Sequence, residues 1–177
     1  MPEGDTIHRA AAKLRPVLDG CELRACEADL AAVEEWQLVG RRVARIEARG
    51  KNLLIHCAPL VVVDGKPDRR RHEQLAVTIW THLGMHGSWR VGPVDTPRPV
   101  DGRRPSLTLR TDAHAAVCKD PEILRFLGPR GLLREPRLAG LGPDLLDPGA
   151  DLDEAVTRLL ALGQTPLGDA IMRQSAV

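Results

Sequence analysis

A series of short β-rich segments separated by turns fills the middle of the 177-residue chain and constrains the fold most strongly. Gly, Pro and Asp stand between the segments, which is typical of strands joined by tight connections. The pattern predicts an antiparallel β-sandwich or barrel. The predicted strands are residues 21–28, 42–48, 52–57, 75–81, 88–91, 106–111 and 115–119, and residues 67–73 (PDRRRHE) are predicted to form a solvated hairpin loop.

Helical patterns flank this β-rich region. Apolar residues at helical spacing predict a helix over residues 6–18, which Asp5 or Thr6 can cap and Gly20 ends. A Gly/Pro-rich stretch then precedes a helical pattern over residues 152–162 and a further helix that begins near Pro166. The sequence therefore predicts an α+β protein with a β-sandwich domain (1–126), a linker (127–150) and an incomplete helical domain (151–177).

Composition and cysteine usage narrow the class of protein. The net charge of +1 excludes a strongly polybasic tail but permits a local DNA-facing patch. The four cysteines form no CxxC pair and have no familiar zinc spacing, so reduced thiols are expected. No apolar run resembles a signal peptide or a membrane span. These features predict a cytoplasmic protein with no membrane partner.

The opening residues MPEGD suggest chemistry of their own. Removal of the initiator methionine would leave Pro2 with a free secondary amine. An α-amino group has a pKa of about 7.7–8.0 against about 10.4 for lysine, so a useful fraction is uncharged at neutral pH. Attack by a secondary amine gives an iminium ion with a permanent positive charge, and Glu3 could then act as general acid or base. The alternative is a chance start in which Glu3 only favours the helix dipole.

Three ordered segments decide between these alternatives. PEGDTIHRAAAKL, ARGKNLLIH and WTHLGMHGSWRV together resemble the formamidopyrimidine-DNA glycosylase/endonuclease VIII family of base-excision repair enzymes, and PEG is closer to the endonuclease VIII branch. LGPDLLDP followed by TPLGDAIM is similar to the entry into that family's helix-two-turn-helix region. The resemblance implies a bacterial, nucleoid-associated DNA repair enzyme that acts as a monomer on damaged double-stranded DNA without a cofactor.

The resemblance also implies catalytic roles. The residue matching Pro2 attacks C1′ of the damaged nucleotide and forms a Schiff base as the base leaves. The residue matching Glu3 assists proton transfer on the sugar. The iminium ion then acidifies the C2′ proton, so that the strand is cut by β-elimination and usually δ-elimination.

Further positions match DNA-contacting residues of the family. Lys51, which the resemblance places with Pro2 and Glu3 in the catalytic set, and His82 match phosphate-binding residues. Met85 matches the wedge that fills the space left by an extruded base. Arg125 and Phe126, in DPEILRFLG, resemble a second pair of void-filling residues, although the local spacing departs from the usual pattern. Ordinary surface or core positions are the alternatives for Lys51 and Met85. His82 and His86 are spaced i, i+4, but Gly84 and Gly87 disfavour a helix there, so no metal site is expected.

The resemblance carries one departure. The family continues past the position of Val177 with a phosphate-binding Asn, more helices and a finger that grips DNA, so we expect a truncated form that binds DNA weakly and holds no zinc. A non-catalytic DNA-binding or vestigial protein of the same fold is one alternative function. An N-terminal-proline tautomerase is another, which the number of strand segments disfavours. The PEG opening favours oxidised pyrimidines over 8-oxoguanine as the lesion, without settling the choice.

Overall fold

The computed structural model describes residues 3–28, 31–60, 75–95, 105–145 and 149–177. The helices in these ranges are α1 (Glu3–Leu18), α2 (Ala31–Trp36), α3 (Pro129–Arg134), α4 (Pro136–Ala139), α5 (Leu152–Ala161) and α6 (Leu167–Ala170). The strands are β1 (Ala25–Glu27), β2 (Val43–Arg49), β3 (Asn52–Cys57), β4 (Val77–His82), β5 (Ser88–Pro93), β6 (Leu107–Arg110), β7 (His114–Lys119) and β8 (Ile123–Leu127).

The strands form two antiparallel sheets. One has the order β1-β6-β7-β5 and the other has the order β2-β3-β4-β8. Both sheets contribute to one apolar core, in which Ile55 and Ile79 of the second sheet cluster with Leu107 and Leu109 of the first. The predicted α+β class with antiparallel sheets is confirmed.

Strands β3 and β4 are buried along nearly their whole length because both faces of the second sheet are covered. Alternate residues of a strand point to opposite faces, so Leu53 and Ile55 enter the shared core while Leu54 lies on the other face. Trp80 pairs with Leu54 across β3 and β4, and both are buried on that second face. Side chains on both faces of this sheet are therefore buried.

Helix α1 packs its apolar stripe against the core, with Ile7, Ala11, Leu14 and Leu18 buried at helical spacing. Two contacts fix its direction. The backbone N–H of Gly20, just after the helix, donates to the carbonyl of Val43 (2.8 Å), and Arg15 Nε donates to the carbonyl of Ile46 (3.1 Å). The helix therefore runs antiparallel to β2, and its N-terminus is directed towards the end of β2 at Arg49.

Several predicted elements have different bounds in the structure. The strand predicted over 52–57 agrees with β3, whereas β8 and α2 were not predicted. The stretch predicted as a linker, 127–150, contains α3 and α4, each of which begins with a proline. Proline fits the first turn of a helix, where no backbone N–H is needed, so a Gly/Pro-rich composition did not exclude helices here. The predicted hairpin loop 67–73 lies outside the described residues.

The chain divides into two compact units, Met1–Leu132 and Leu133–Val177. Within the second unit, Asp151 caps α5 by accepting a hydrogen bond from the backbone N–H of Glu154 (2.9 Å). Arg158 donates to the carbonyl of Ser175 (2.9 Å), and the N–H of Gly142 donates to the carbonyl of Gln174 (2.8 Å). The final residues are thus held against the segment that precedes α5.

Candidate nucleic-acid interface

One end of the second sheet brings together three of the predicted DNA-contacting positions. Asn52 at the start of β3 pairs with Arg49 at the end of β2 and with His82 at the end of β4. His82 in turn pairs with Ile123 at the start of β8. The turn that carries Lys51, the side chain of His82 and the turn that follows β4 therefore lie at the same end of the sheet.

The β2–β3 turn is held from beneath. Gly50 has φ of 57°, a left-handed conformation that favours glycine and reverses the chain before Lys51. Asn52 is buried, donates from Nδ2 to the carbonyl of Arg49 (3.2 Å) and accepts from Trp80 Nε1 (2.9 Å). Lys51 is half-buried. A fixed backbone therefore presents this lysine at the end of the sheet.

His82 is largely covered, with 19% of its side chain exposed. Its Nδ1 atom is buried and makes no hydrogen bond to the part of the chain that the structure describes. The Glu122 Oε2 atom lies 3.5 Å away, longer than a normal hydrogen bond but within ion-pair distance. The ring is thus positioned beside a carboxylate, and its exposed portion does not include Nδ1.

Met85 lies on the turn between β4 and β5 and is 72% exposed, so it is not a core methionine. Gly84 has φ of 59°, and the N–H of Gly87 donates to the carbonyl of Leu83 (2.8 Å). A Cβ atom on Gly87 would lie 2.3 Å from that carbonyl oxygen, so the close approach of the chain to itself requires glycine. Two glycines therefore build the turn that projects this apolar side chain.

Arg125 and Phe126 lie on β8 but face in opposite directions, as consecutive strand residues do. The Arg125 guanidinium carbon lies 5.9 Å from the centre of the Trp80 ring, at cation–π distance. Phe126 pairs with Ile79 and packs against the apolar core. The two side chains therefore lie on opposite faces of β8, and their match to void-filling residues stays a prediction. The sequence departs from the family spacing at this point.

Pro2 lies outside the described residues, and Glu3 begins α1 without a described side chain. The direction of α1 nevertheless shows where this helix begins. From Arg15 to Glu3 the helix rises about 18 Å, whereas from Ile46 to Arg49 the strand advances only about 10 Å. The N-terminus of α1 is thus directed towards the end of the sheet where Lys51 and His82 lie.

The sequence reasoning missed Asn52, Trp80 and Glu122 as supports of this site. An isolated Asn in ARGKN or Glu in DPEIL carries no local signal, because each acts through a partner on another strand. Burial raises the pKa of three thiols to about 12, which disfavours their nucleophilic thiolate form: half-buried Cys26 and buried Cys57 and Cys118. Among the described residues, no group of three His, Cys, Asp or Glu side chains could hold a metal ion. No helix in those ranges is long and apolar enough to cross a membrane.

A sequence model described as the formamidopyrimidine-DNA glycosylase N-terminal domain matches residues 1–134, more than half of the chain. The chain belongs to the formamidopyrimidine-DNA glycosylase family. The matched stretch ends close to the boundary between the two compact units.

Two curated relatives carry names of the endonuclease VIII type. The chain is 32% identical over 174 residues to DNA-(apurinic or apyrimidinic site) lyase Nei2 of Mycolicibacterium smegmatis, with 98% of this chain and 60% of the relative covered. It is 31% identical over 164 residues to endonuclease 8 of an Enterobacter species, with 91% and 56% covered. These names confirm the resemblance predicted from the sequence. The chain spans about three fifths of the length of these relatives.

The fold is similar to solved structures of the family. A structure of Lactococcus lactis formamidopyrimidine-DNA glycosylase bound non-covalently to DNA containing an AP site superposes with a TM-score of 0.65. The sequence identity is 18%, and the superposition covers 99% of this chain and 62% of the other. The likeness therefore establishes the fold of the formamidopyrimidine-DNA glycosylase family for nearly the whole chain.

Proposed function

We propose that the chain is a DNA repair glycosylase with AP lyase activity. In this proposal it excises oxidised bases from double-stranded DNA through a Schiff base at Pro2 and cuts the strand by β/δ-elimination. The observation that carries it is the convergence of Lys51, His82 and Met85 at the end of the sheet towards which the N-terminus of α1 is directed. The AP lyase name of the mycobacterial relative and the endonuclease name of the second support the same activity.

The division of roles follows from the chemistry of each group. Lys51 and His82 are cationic or hydrogen-bond-donating groups suited to phosphate oxygens, which position a duplex without reading its sequence. Met85 is a flexible apolar side chain on an exposed turn, suited to occupy the gap left when a nucleotide is extruded. The Pro2 amine then attacks C1′, and Glu3 transfers protons on the sugar.

Borohydride trapping on a duplex with one abasic site tests the proposal. Reduction of the Schiff base should give a stable protein–DNA adduct whose cross-linked peptide begins at Pro2. Acetylation of the N-terminus should abolish the adduct because it removes the amine lone pair. Pro2→Gly should reduce trapping by at least about tenfold, since a primary amine gives an imine that must be protonated to become an equal electron sink.

Lys51→Ala is the matched control, because it removes a different amine from the same end of the sheet. It should weaken DNA binding, yet saturating protein should still give the Pro2 adduct. A cross-link mapped to Lys51 would contradict the proposed mechanism. Trapping across duplexes with thymine glycol, dihydrouracil, 8-oxoguanine or an abasic site would then rank the lesions.

A non-catalytic DNA-binding role is the second candidate, because the described residues Lys51, His82 and Met85 at this end of the sheet suit contact with DNA and do not themselves break a bond. This candidate predicts a gel shift with abasic DNA but no trapped adduct and no strand cleavage.

A further inference from the structure

A series of contacts crosses the second sheet from its edge strand β8 to the turn that carries Lys51. Trp80 of β4 lies in the middle of this series and is 1% exposed. It pairs with Arg125 of β8, and its indole Nε1 donates to Asn52 Oδ1 of β3 (2.9 Å). Asn52 Nδ2 donates in turn to the carbonyl of Arg49, at the end of β2 (3.2 Å). The series therefore connects all four strands of the sheet.

The side chain of Asn52 closes the turn. Arg49 is the last residue of β2 and Asn52 is the first residue of β3, so the hydrogen bond from Nδ2 spans the turn that contains Lys51. An indole N–H only donates and a carbonyl only accepts, so the two bonds fix which way the amide faces. The position of the Trp80 ring therefore determines how the two ends of this turn are held together.

Arg125 contacts the face of the Trp80 ring. Its guanidinium carbon lies 5.9 Å from the ring centre, within the range in which an aromatic face attracts a cation. The two residues are direct cross-strand partners, so their side chains share one face of the sheet. Arg125 is exposed whereas the ring is buried, and a planar, weakly hydrated guanidinium suits that boundary. The cation on the ring face and the hydrogen bond from Nε1 therefore hold the ring from two sides.

We propose that Arg125 is a positioning residue for the binding of a DNA phosphate by Lys51. Arg125 acts through Trp80 and Asn52, and it neither contacts a phosphate nor enters the space left by an extruded base. The inference rests on the proposed function and deepens it. Loss of the guanidinium leaves the ring less restrained and loosens the closure of the turn. The Lys51 backbone then loses more entropy when it binds DNA, so the affinity falls.

A double-mutant cycle separates this indirect role from a direct contact with DNA. Affinity for a duplex with a tetrahydrofuran abasic analogue is measured at one salt concentration for the wild type, Arg125→Met, Lys51→Ala and the double variant. Beyond the general effect of one lost charge, Arg125→Met should weaken binding about threefold, as expected for one exposed cation–π contact. In the Lys51→Ala background only the general effect should remain. The same full loss in both backgrounds would show a direct contact, void-filling included, and would overturn the proposal.

Arg45→Met is the matched control that measures the general effect of one lost charge. Arg45 lies on β2 of the same sheet, is 67% exposed and forms an ion pair with Glu47 (3.1 Å). Removal of any cation from this unit weakens its attraction for the phosphate backbone. Arg125→Met should bind more weakly than Arg45→Met when Lys51 is present, and the two substitutions should have equal effects when it is absent. Equal effects in the presence of Lys51 would also overturn the proposal.

Hydrogen exchange at the indole N–H groups tests the same contacts without DNA. Trp36→Phe and Trp89→Phe assign the resonances of the three tryptophans. Arg125→Met should accelerate exchange at Trp80 about threefold through easier local opening. Exchange at Trp89, whose Nε1 donates to Thr81 Oγ1 (3.2 Å), should not change.

Equal acceleration at both indoles would show that Arg125 affects only the global stability, and no acceleration at Trp80 would show that the contact does not restrain the ring. Either result would overturn the proposal. Failure of the wild type to bind abasic DNA would instead count against the proposed function, while the exchange rates would still report on the contact between Arg125 and Trp80.

Discussion

Two turns at the same end of the second sheet are built on similar backbones but are supported differently. Gly50 in the β2–β3 turn has φ of 57°, and Gly84 in the β4–β5 turn has φ of 59°. Beneath the first turn, buried Asn52 is hydrogen-bonded to Trp80 and to the backbone. The second turn projects Met85 into solvent and packs against the exposed side chain of Glu122.

This difference matches the roles proposed for the two turns. A cation that binds phosphate loses less entropy on binding when its backbone is already fixed, and buried hydrogen bonds fix the Lys51 turn. A wedge must move into a gap that forms only after the nucleotide leaves the stack, and an exposed turn permits that adjustment. The following predictions test whether the two turns are separable in stability and in function.

Trp80→Phe should have the largest effect on stability. The substitution leaves the buried Oδ1 of Asn52 without its donor, which costs about 1–3 kcal/mol. It should also weaken DNA binding, because the support of the Lys51 turn is lost. Urea denaturation gives the stability, and fluorescence anisotropy with abasic duplex gives the affinity.

Trp89→Phe is the control for this prediction. Trp89 is buried and donates from Nε1 to Thr81 Oγ1 (3.2 Å), so the same chemical change removes a comparable hydrogen bond. The Trp89→Phe variant should be less stable than the wild type, but the folded variant should bind DNA with unchanged affinity. Equal losses of affinity in the two variants would show that Trp80 has no special relation to the Lys51 turn.

Gly84→Ala should have the next largest effect, and on the other turn. The left-handed φ alone costs an L-residue about 1–2 kcal/mol. The new Cβ would also lie 2.9 Å from Glu122 Oε2 and would displace that side chain. Gly20→Ala is the matched variant, since Gly20 has φ of 74° and nothing within 4 Å of the added atom. Thermal unfolding should show a greater loss of stability for Gly84→Ala than for Gly20→Ala. Equal losses of stability would show that the contact with Glu122 adds nothing to the cost of the substitution.

The sequence predicted the elements of this site better than the contacts between them. Strand β3 was predicted at residues 52–57 because a compact apolar segment follows Gly50. Strand β8 was missed, since Ile123–Leu127 is short and its strand character depends on pairing with β4. The same pairing brings Glu122 to His82 and separates Arg125 from Phe126 across the sheet. These contacts depend on the register between strands that are distant in the sequence, and local sequence patterns do not contain that information.

Met85→Ala should change function while leaving stability nearly unaltered. Met85 is 72% exposed, so the free energy of unfolding should change by less than about 0.5 kcal/mol. Excision of a paired, oxidised base should slow by about tenfold, because flipping of a paired base costs a few kcal/mol that the wedge partly offsets. Cleavage at a preformed abasic site should be less affected. Met172→Ala, at a 79% exposed methionine of the second unit, should change neither rate.

Acid should weaken the hairpin that carries Lys51, with the smallest effect of the series. The hydrogen bond from His56 Nε2 to Glu47 Oε2 (3.1 Å) is the main cause that lowers the pKa of Glu47 from its ordinary value of 4.5. A carboxylate with a lowered pKa stabilises the folded state above that ordinary value, and the contribution is lost as pH falls through the lowered pKa. Glu47→Gln should therefore cost less than about 1 kcal/mol at pH 7 and almost nothing in strong acid.

Thr78→Val separates this effect from general loss of the network. Thr78 Oγ1 contacts the other ring nitrogen of His56 (3.0 Å), so the variant keeps the Glu47 carboxylate and its titration. Urea denaturation gives the free energy of unfolding of the wild type and both variants at pH 7 and at about pH 3. The loss of stability caused by Glu47→Gln should be smaller in acid, whereas the loss caused by Thr78→Val should be the same at both pH values. If both differences shrank together, acid would be acting through His56, and the Lys51 hairpin would not be stabilised by the ionised Glu47 itself.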